Sequence, residues 1–207
     1  IQQLLLGVGA SKKTYVDDVF STQAYIGNES NRSFVNGLDL ATEGGLVWHK
    51  CRSGSSAMTH LLFDTERGVT KDLASNSDGA EGTSTTMMTA FNTDGYSIGT
   101  SGYVNEDDST FASWSFRKAP GFFDIVTYTG NGTSGRTVSH SLGSVPGMII
   151  VKNYGGTNNW AVYHNGLPDS TADVLRLNTD AAKINSSGWW NDTAPTASVF
   201  TLGNDSE

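Results

Sequence analysis

The chain has 207 residues, of which 16% are charged, and its 13 basic against 21 acidic side chains leave a formal charge of −8. That balance excludes a phosphate-tracking nucleic-acid binder, and the composition excludes coiled coils and charge-driven disorder. Cys51 is alone, so neither an intrachain disulfide nor a cysteine-based metal framework can form.

Residues 1–20, IQQLLLGVGASKKTYVDDVF, open the chain. The apolar run Leu4, Leu5, Leu6 is too short for a secretory core, and no stretch of the chain approaches a membrane span, so no membrane insertion is expected. Three leucines followed by Gly7 and Gly9 cannot bury themselves in so short a piece. They are expected to form an assembly interface within an N-terminal attachment segment.

From Tyr25 onward the elements read as strands. Gly numbers 24, Ser, Thr and Asn are plentiful, and runs of helix formers are missing; this favours short strands and tight turns. Residues 45–50, 61–63, 147–152 and 161–163 are continuous apolar runs, as in buried central strands. Asp94-Gly95 is a hairpin dipeptide. In residues 112–116, Ala112, Trp114 and Phe116 alternate with Ser113 and Ser115, a period of two. Trp48 and Trp114 sit on apolar strand faces and are expected in the core. Pro120-Gly121 marks a break.

Beyond it the chain repeats itself. Tyr25 and Gly27 match Tyr128 and Gly130; Arg32 and Leu38 match Arg136 and Leu142. Gly45, Leu46, Val47 and Lys50 match Gly147, Met148, Ile149 and Lys152. Phe63 pairs with Tyr163, Asn76 with Asn178, Asp78 with Asp180, and residues 96–99 with residues 200–203. The offset stays within a few residues of 103 and drifts in turn-like stretches, where insertions are tolerated. Colinearity of this kind is the mark of a duplication. The expected organisation is an attachment segment over 1–20, a first β-sandwich repeat over 21–119 and a second over 120–207. Each is an antiparallel sandwich, immunoglobulin-like or jelly-roll. The second copy lacks a counterpart of residues 104–116. A longer chain or another chain is expected to supply that strand, since a bare sheet edge is a liability.

The repeat also sorts the chemical motifs. Residues 130–135 satisfy G-x-G-x-x-G, but the dinucleotide fingerprint needs a helix to open next, and a strand pattern follows instead. No nucleotide or other cofactor is expected. His49, His60, His140 and His164 fall at no metal-ligand spacing, and Glu106-Asp107-Asp108 reads as a solvated turn, so no metal is expected either. No serine-hydrolase, zinc-protease or phosphate-loop pattern occurs, and no catalytic residue is assigned. The loop YGGTNNW, residues 154–160, is the best place for a glycan-binding patch, with Tyr154 and Trp160 as stacking rings and Asn158 as a polar partner. Trp189-Trp190 is less suitable, because the repeat sets it beside Met87-Met88.

The string GLVWHKCRSG…HLLFDTERG…LASNSDGAE…FNTDGYSIG…TFASWSFRKAPGFFDIVTYTGNG resembles repeats of bacteriophage tail-fibre and other virion proteins, especially marine ones. The second copy departs from the pattern: Tyr163-His164 replaces Phe63-Asp64, and Asn165-Gly166 replaces Arg67-Gly68. The resemblance implies a non-enzymatic structural protein of the phage tail, the N-terminal part of a homotrimeric fibre. Its N-terminus would meet tail adaptor or tail-tube proteins, and its sandwiches would meet host surface glycan. A free carbohydrate-binding module is the alternative function, and a polysaccharide depolymerase the third.

Overall fold

The computed structural model describes residues 14–54 and 59–205. Leu4, Leu5 and Leu6, with the interface expected of them, lie outside the described residues. The protein is all-β, with several antiparallel sheets, none of them closed.

After a single 3-10 turn, Val16–Asp18, the first half of the chain carries nine strands. These are β1 (Phe20–Ile26), β2 (Arg32–Val35), β3 (Gly45–Ser53), β4 (Leu61–Asp64), β5 (Lys71–Ala74), β6 (Gly82–Thr83), β7 (Met88–Asn92), β8 (Gly95–Ile98) and β9 (Thr110–Arg117). A one-turn helix α1 (Gly102–Asn105) precedes β9. Six strands form one sheet in the order β1-β9-β3-β4-β5-β6, and β2-β8-β7 form a second. The core lies between them: Val47, Cys51, Leu61, Phe63 and Phe111 from the first sheet meet Phe34, Met88, Tyr96 and Ile98 from the second. Burial of such side chains contributes about 1.5–3 kcal/mol each, which gives the half a sandwich-like character.

β1 starts at Phe20, which pairs with Phe116. The backbone before it is fastened as well, since Arg117 donates from its main-chain N to the Val19 carbonyl and from Nε to the Asp18 carbonyl. The end of the expected attachment segment is therefore docked on β9.

The second half carries β10 (Arg136–Ser139), β11 (Met148–Val151), β12 (Ala161–His164), β13 (Asp173–Arg176), β14 (Ile184–Asn185), a one-turn helix α2 (Ser187–Trp190) and β15 (Val199–Leu202). Four strands follow the order β11-β12-β13-β14, and β10 pairs with β15. Trp189 and Trp190 are buried with Ala161, Tyr163 and Val174 in a smaller core. The G-x-G-x-x-G loop runs directly into β10, so the helix a nucleotide site needs does not follow it.

Three sequence expectations reverse at this level. In β9, Ser113 and Ser115 face inward with Phe111, and Trp114 and Phe116 face outward. Ser113 is buried against the Tyr96 hydroxyl, with 2.6 Å between the oxygens, and Ser115 accepts from Asn36 Nδ2 at 3.0 Å. Trp48 and Trp114 leave the core with the same alternation. They meet edge-to-face, 6.3 Å between ring centroids, on the outer surface of the six-stranded sheet. β11, read as a buried central strand, is an edge strand with Met148 57% exposed, because it pairs with β12 alone whereas β3 is flanked by β4 and β9.

Candidate functional site

Matched residues of the two halves make matching contacts. Arg32 lies 5.2 Å from the Tyr25 ring centre and Arg136 lies 5.4 Å from that of Tyr128. Each guanidinium also donates to a neighbouring carbonyl, of Ile26 and of Thr129. The His60 amide donates to Asn76 Oδ1 at 2.8 Å, and the Trp160 amide to Asn178 Oδ1 at 3.0 Å. The amide of Glu66 donates to Asp64 Oδ1 at 3.1 Å, and that of Gly166 to His164 Nδ1 at 3.0 Å. The histidine in the second half therefore holds a turn, as the aspartate does in the first.

The loop expected to bind sugar is built into the contact between the halves. Trp160 is 5% exposed and packs on Leu62 and Leu73, with Leu46, Trp48 and Leu177 beside it. Its Nε1 donates to the carbonyls of Ala74, at 3.1 Å, and Ser77, at 3.0 Å. A ring covered in this way exposes little of itself to a ligand. The rest of the loop follows it: the Tyr154 carbonyl accepts from the Glu81 amide at 2.8 Å, and the Asn158 amide donates to the Asp78 carbonyl at 2.9 Å. Tyr154 is partly exposed, and Asn158 Oδ1 accepts from Asn153 Nδ2 within its own loop. Tyr154, Asn158 and Trp160 thus share one loop, and Tyr154 and Trp160 both line one groove of about 610 Å³.

Beneath this contact lies a buried ion-pair network that sequence spacing gave no sign of. Arg67 Nε stands 2.6 Å from Asp64 Oδ2, and its NH1 stands 3.2 Å from Glu81 Oε2; Lys71 reaches the other Glu81 oxygen at 3.1 Å. Arg67 thereby ties the turn after β4 to the residue that leads into β6. Asp72 nearby has its carboxyl pushed above the usual range, chiefly by burial.

One open cleft, of about 720 Å³, lies beside Trp160. Trp48, His60, Asn76, Leu177, Asn178 and Asp180 line it. A partly buried indole with amides and a carboxylate around it has the composition of a shallow sugar site. The groove of about 610 Å³ is lined by residues 125–133 and 150–155, with Trp160, Trp189 and Trp190 and, from the first half, Asp64, Arg67 and Leu73.

His49 carries the largest histidine perturbation, its pKa pushed down to about 3 by burial. The Tyr25 hydroxyl donates to the Val104 carbonyl at 2.6 Å, so His49 Nδ1, 3.1 Å away, carries the proton and donates to that hydroxyl. Nε2 has no hydrogen-bond partner, and the rings of Phe63 and Tyr96 pack edge-on against the imidazole. This shift belongs to the core and not to a cleft. Among the described residues no three His, Cys, Asp or Glu side chains gather as a metal site would require, and no helix is long and apolar enough to cross a membrane.

The described residues thus define an all-β protein of sandwich-like character with recesses along the contact between its halves. Over residues 16–207 the chain matches DUF7483, a domain of unknown function, and it belongs to that family. The match runs through both halves. No curated protein and no solved structure matches it.

Proposed function

We propose that the chain is a structural virion protein, the N-terminal part of a bacteriophage tail fibre. Two tandem β-sandwich repeats, one per half, project from an N-terminal attachment segment in a homotrimer. The role is mechanical and adhesive: it holds shape while presenting surfaces to the host, where linked weak contacts add up to strong attachment. The observation that carries this reading is the Trp160 contact. Its indole is packed and doubly hydrogen-bonded to the other half, so the repeats are fastened together instead of tethered. The short connection supports it: the Gly121 amide donates to the Leu142 carbonyl at 2.7 Å, and Lys118 pairs with Asp124 at 3.4 Å.

The test is the native mass of the full chain by sedimentation, together with co-purification with tail-tube or adaptor proteins. A trimer that binds them supports the reading, and a monomer that ignores them refutes it. Deleting residues 1–14 should abolish assembly while the sandwiches stay folded.

A second reading, a lectin-like module, is favoured by the open cleft at Trp48, Asn76, Asn178 and Asp180. Glycan-array binding by an isolated monomer, lost in Trp48→Ala, supports it; an array with no hits removes it.

A further inference from the structure

The 610 Å³ groove lies where β9 lies in the first half. There, β9 runs antiparallel to both neighbours, filling the space between β1 and β3. In the second half, residues 123–129 occupy the chain position of β1 and β11 that of β3; residues 125–129 and Ile150 and Val151 of β11 line the groove together, with Asp64, Arg67 and Leu73 of the first half also among its lining residues. Residues 124–129 belong to no sheet, although Ile125, Val126, Thr127 and Tyr128 form a β-favouring run. β11 has one paired edge, toward β12, and exposes Met148 and Ile150.

Two pairs of glycines define the occupant. A Cβ on Gly45 would overlap the Phe116 carbonyl of β9, and one on Gly27 would overlap the Glu106 carbonyl that leads into it. Their counterparts, Gly147 and Gly130, meet only ordinary contact at 3.7 Å or nothing within 4 Å. The second half thus has glycine at the same two places where β9 and its approach press on the first. Tyr128 also lines the groove, whereas Tyr25 stacks on Phe111 of β9 at 5.1 Å.

We propose that this groove is the docking site for a single extended polypeptide strand of the β9 type, inserted antiparallel between residues 123–129 and β11. Main-chain hydrogen bonds to both segments supply affinity, as in other strand additions, and alternate side chains supply specificity. The inward positions follow from the pairing of the halves. The first is aromatic, to stack on Tyr128 as Phe111 does on Tyr25. The second is apolar where β9 has Ser113, because Phe200 stands where Tyr96 offers its hydroxyl. A covered edge also removes the exposed β11 as a site of indiscriminate pairing.

The inference rests on the paired geometry of the halves and not on a virion role. The experiment below can therefore fail while the native mass still shows a trimer, and the reverse. A synthetic peptide of residues 109–118 carrying Ser113→Val is added to the full chain, with a scrambled peptide as control. Amide exchange is expected to slow at least tenfold at residues 125–129 and 148–151, with one peptide bound per chain. The Gly147→Val protein is expected to keep its melting temperature without peptide and to bind the peptide at least tenfold more weakly. Absence of protection, equal binding by Gly147→Val, or protection confined to β1 and β3 overturns the proposal. Concentration-dependent protection of the same segments without peptide also overturns it, since it makes a second copy the occupant.

Discussion

Trp160 Nε1 donates to the main-chain carbonyls of Ala74 and Ser77, so a side chain of the second half satisfies two backbone acceptors of the first. Two effects coincide there. The ring fills the space between Leu62 and Leu73, and its one donor is shared by acceptors that would otherwise be shielded from water. Trp160→Ala should cost about 3–5 kcal/mol, the usual range for a buried tryptophan. Calorimetry should show one unfolding transition in the parent chain and two in the variant, as the halves uncouple.

The glycine pairs give a prediction with an internal control. Gly45→Ala places a methyl group against the Phe116 carbonyl and 2.7 Å from Leu40 Cδ2, an overpacking expected to cost about 1–3 kcal/mol. Gly147→Ala meets only Asn165 at ordinary distance and should change stability by less than about 0.5 kcal/mol. Denaturant midpoints of the two single variants, measured side by side, check the asymmetry.

Arg67 holds Asp64 and Glu81 in surroundings largely closed to solvent. Arg67→Met leaves Asp64 without its cationic partner and Glu81 with Lys71 alone, and breaking a buried pair in this way costs about 3–5 kcal/mol. Asp64→Asn with Arg67→Met should recover part of the loss in a double-mutant cycle read by urea unfolding.

Acid sensitivity follows from His49. Its folded pKa, about 3, lies below the ordinary 6.5 because the ring is buried. Between these values the unfolded chain binds the proton and the folded chain does not. The contribution is therefore fully present above pH 6.5 and is lost as pH falls toward 3, at a slope of roughly 1.4 kcal/mol per pH unit. The hydroxyls facing the ring, Tyr25 and Tyr96, are raised by burial and stay neutral throughout. Urea midpoints measured between pH 6.5 and 4.5 should decline in the parent and flatten in His49→Phe.

Much of the secondary structure was legible because it is local. Alternation in residues 112–116 and the apolar runs at residues 45–50, 61–63 and 148–151 mark strands whatever surrounds them, and all became β9, β3, β4 and β11. The matched pairs also anticipated which residues would do the same task in each half, as with Asn76 and Asn178. The contact that Trp160 makes was not legible. Trp160 sits in a Gly- and Asn-rich loop, which in sequence has the signature of an exposed binding loop. Its acceptors lie more than eighty residues upstream, where no local pattern points to them.

What the sequence by itself determined is the all-β class and the positions of its strands, since periodicity and turn chemistry act over a few residues. Tertiary structure alone decided the faces. Alternation shows that Ser113 and Trp114 point opposite ways, but only the sheet packed against β9 turns the serine inward and leaves the tryptophan outside. The same holds for β3 and β11, whose apolar sequences are alike: one is enclosed by β9 and the other lines a groove. A strand's burial depends on which neighbours reach it, and those neighbours are set by contacts between distant parts of the chain.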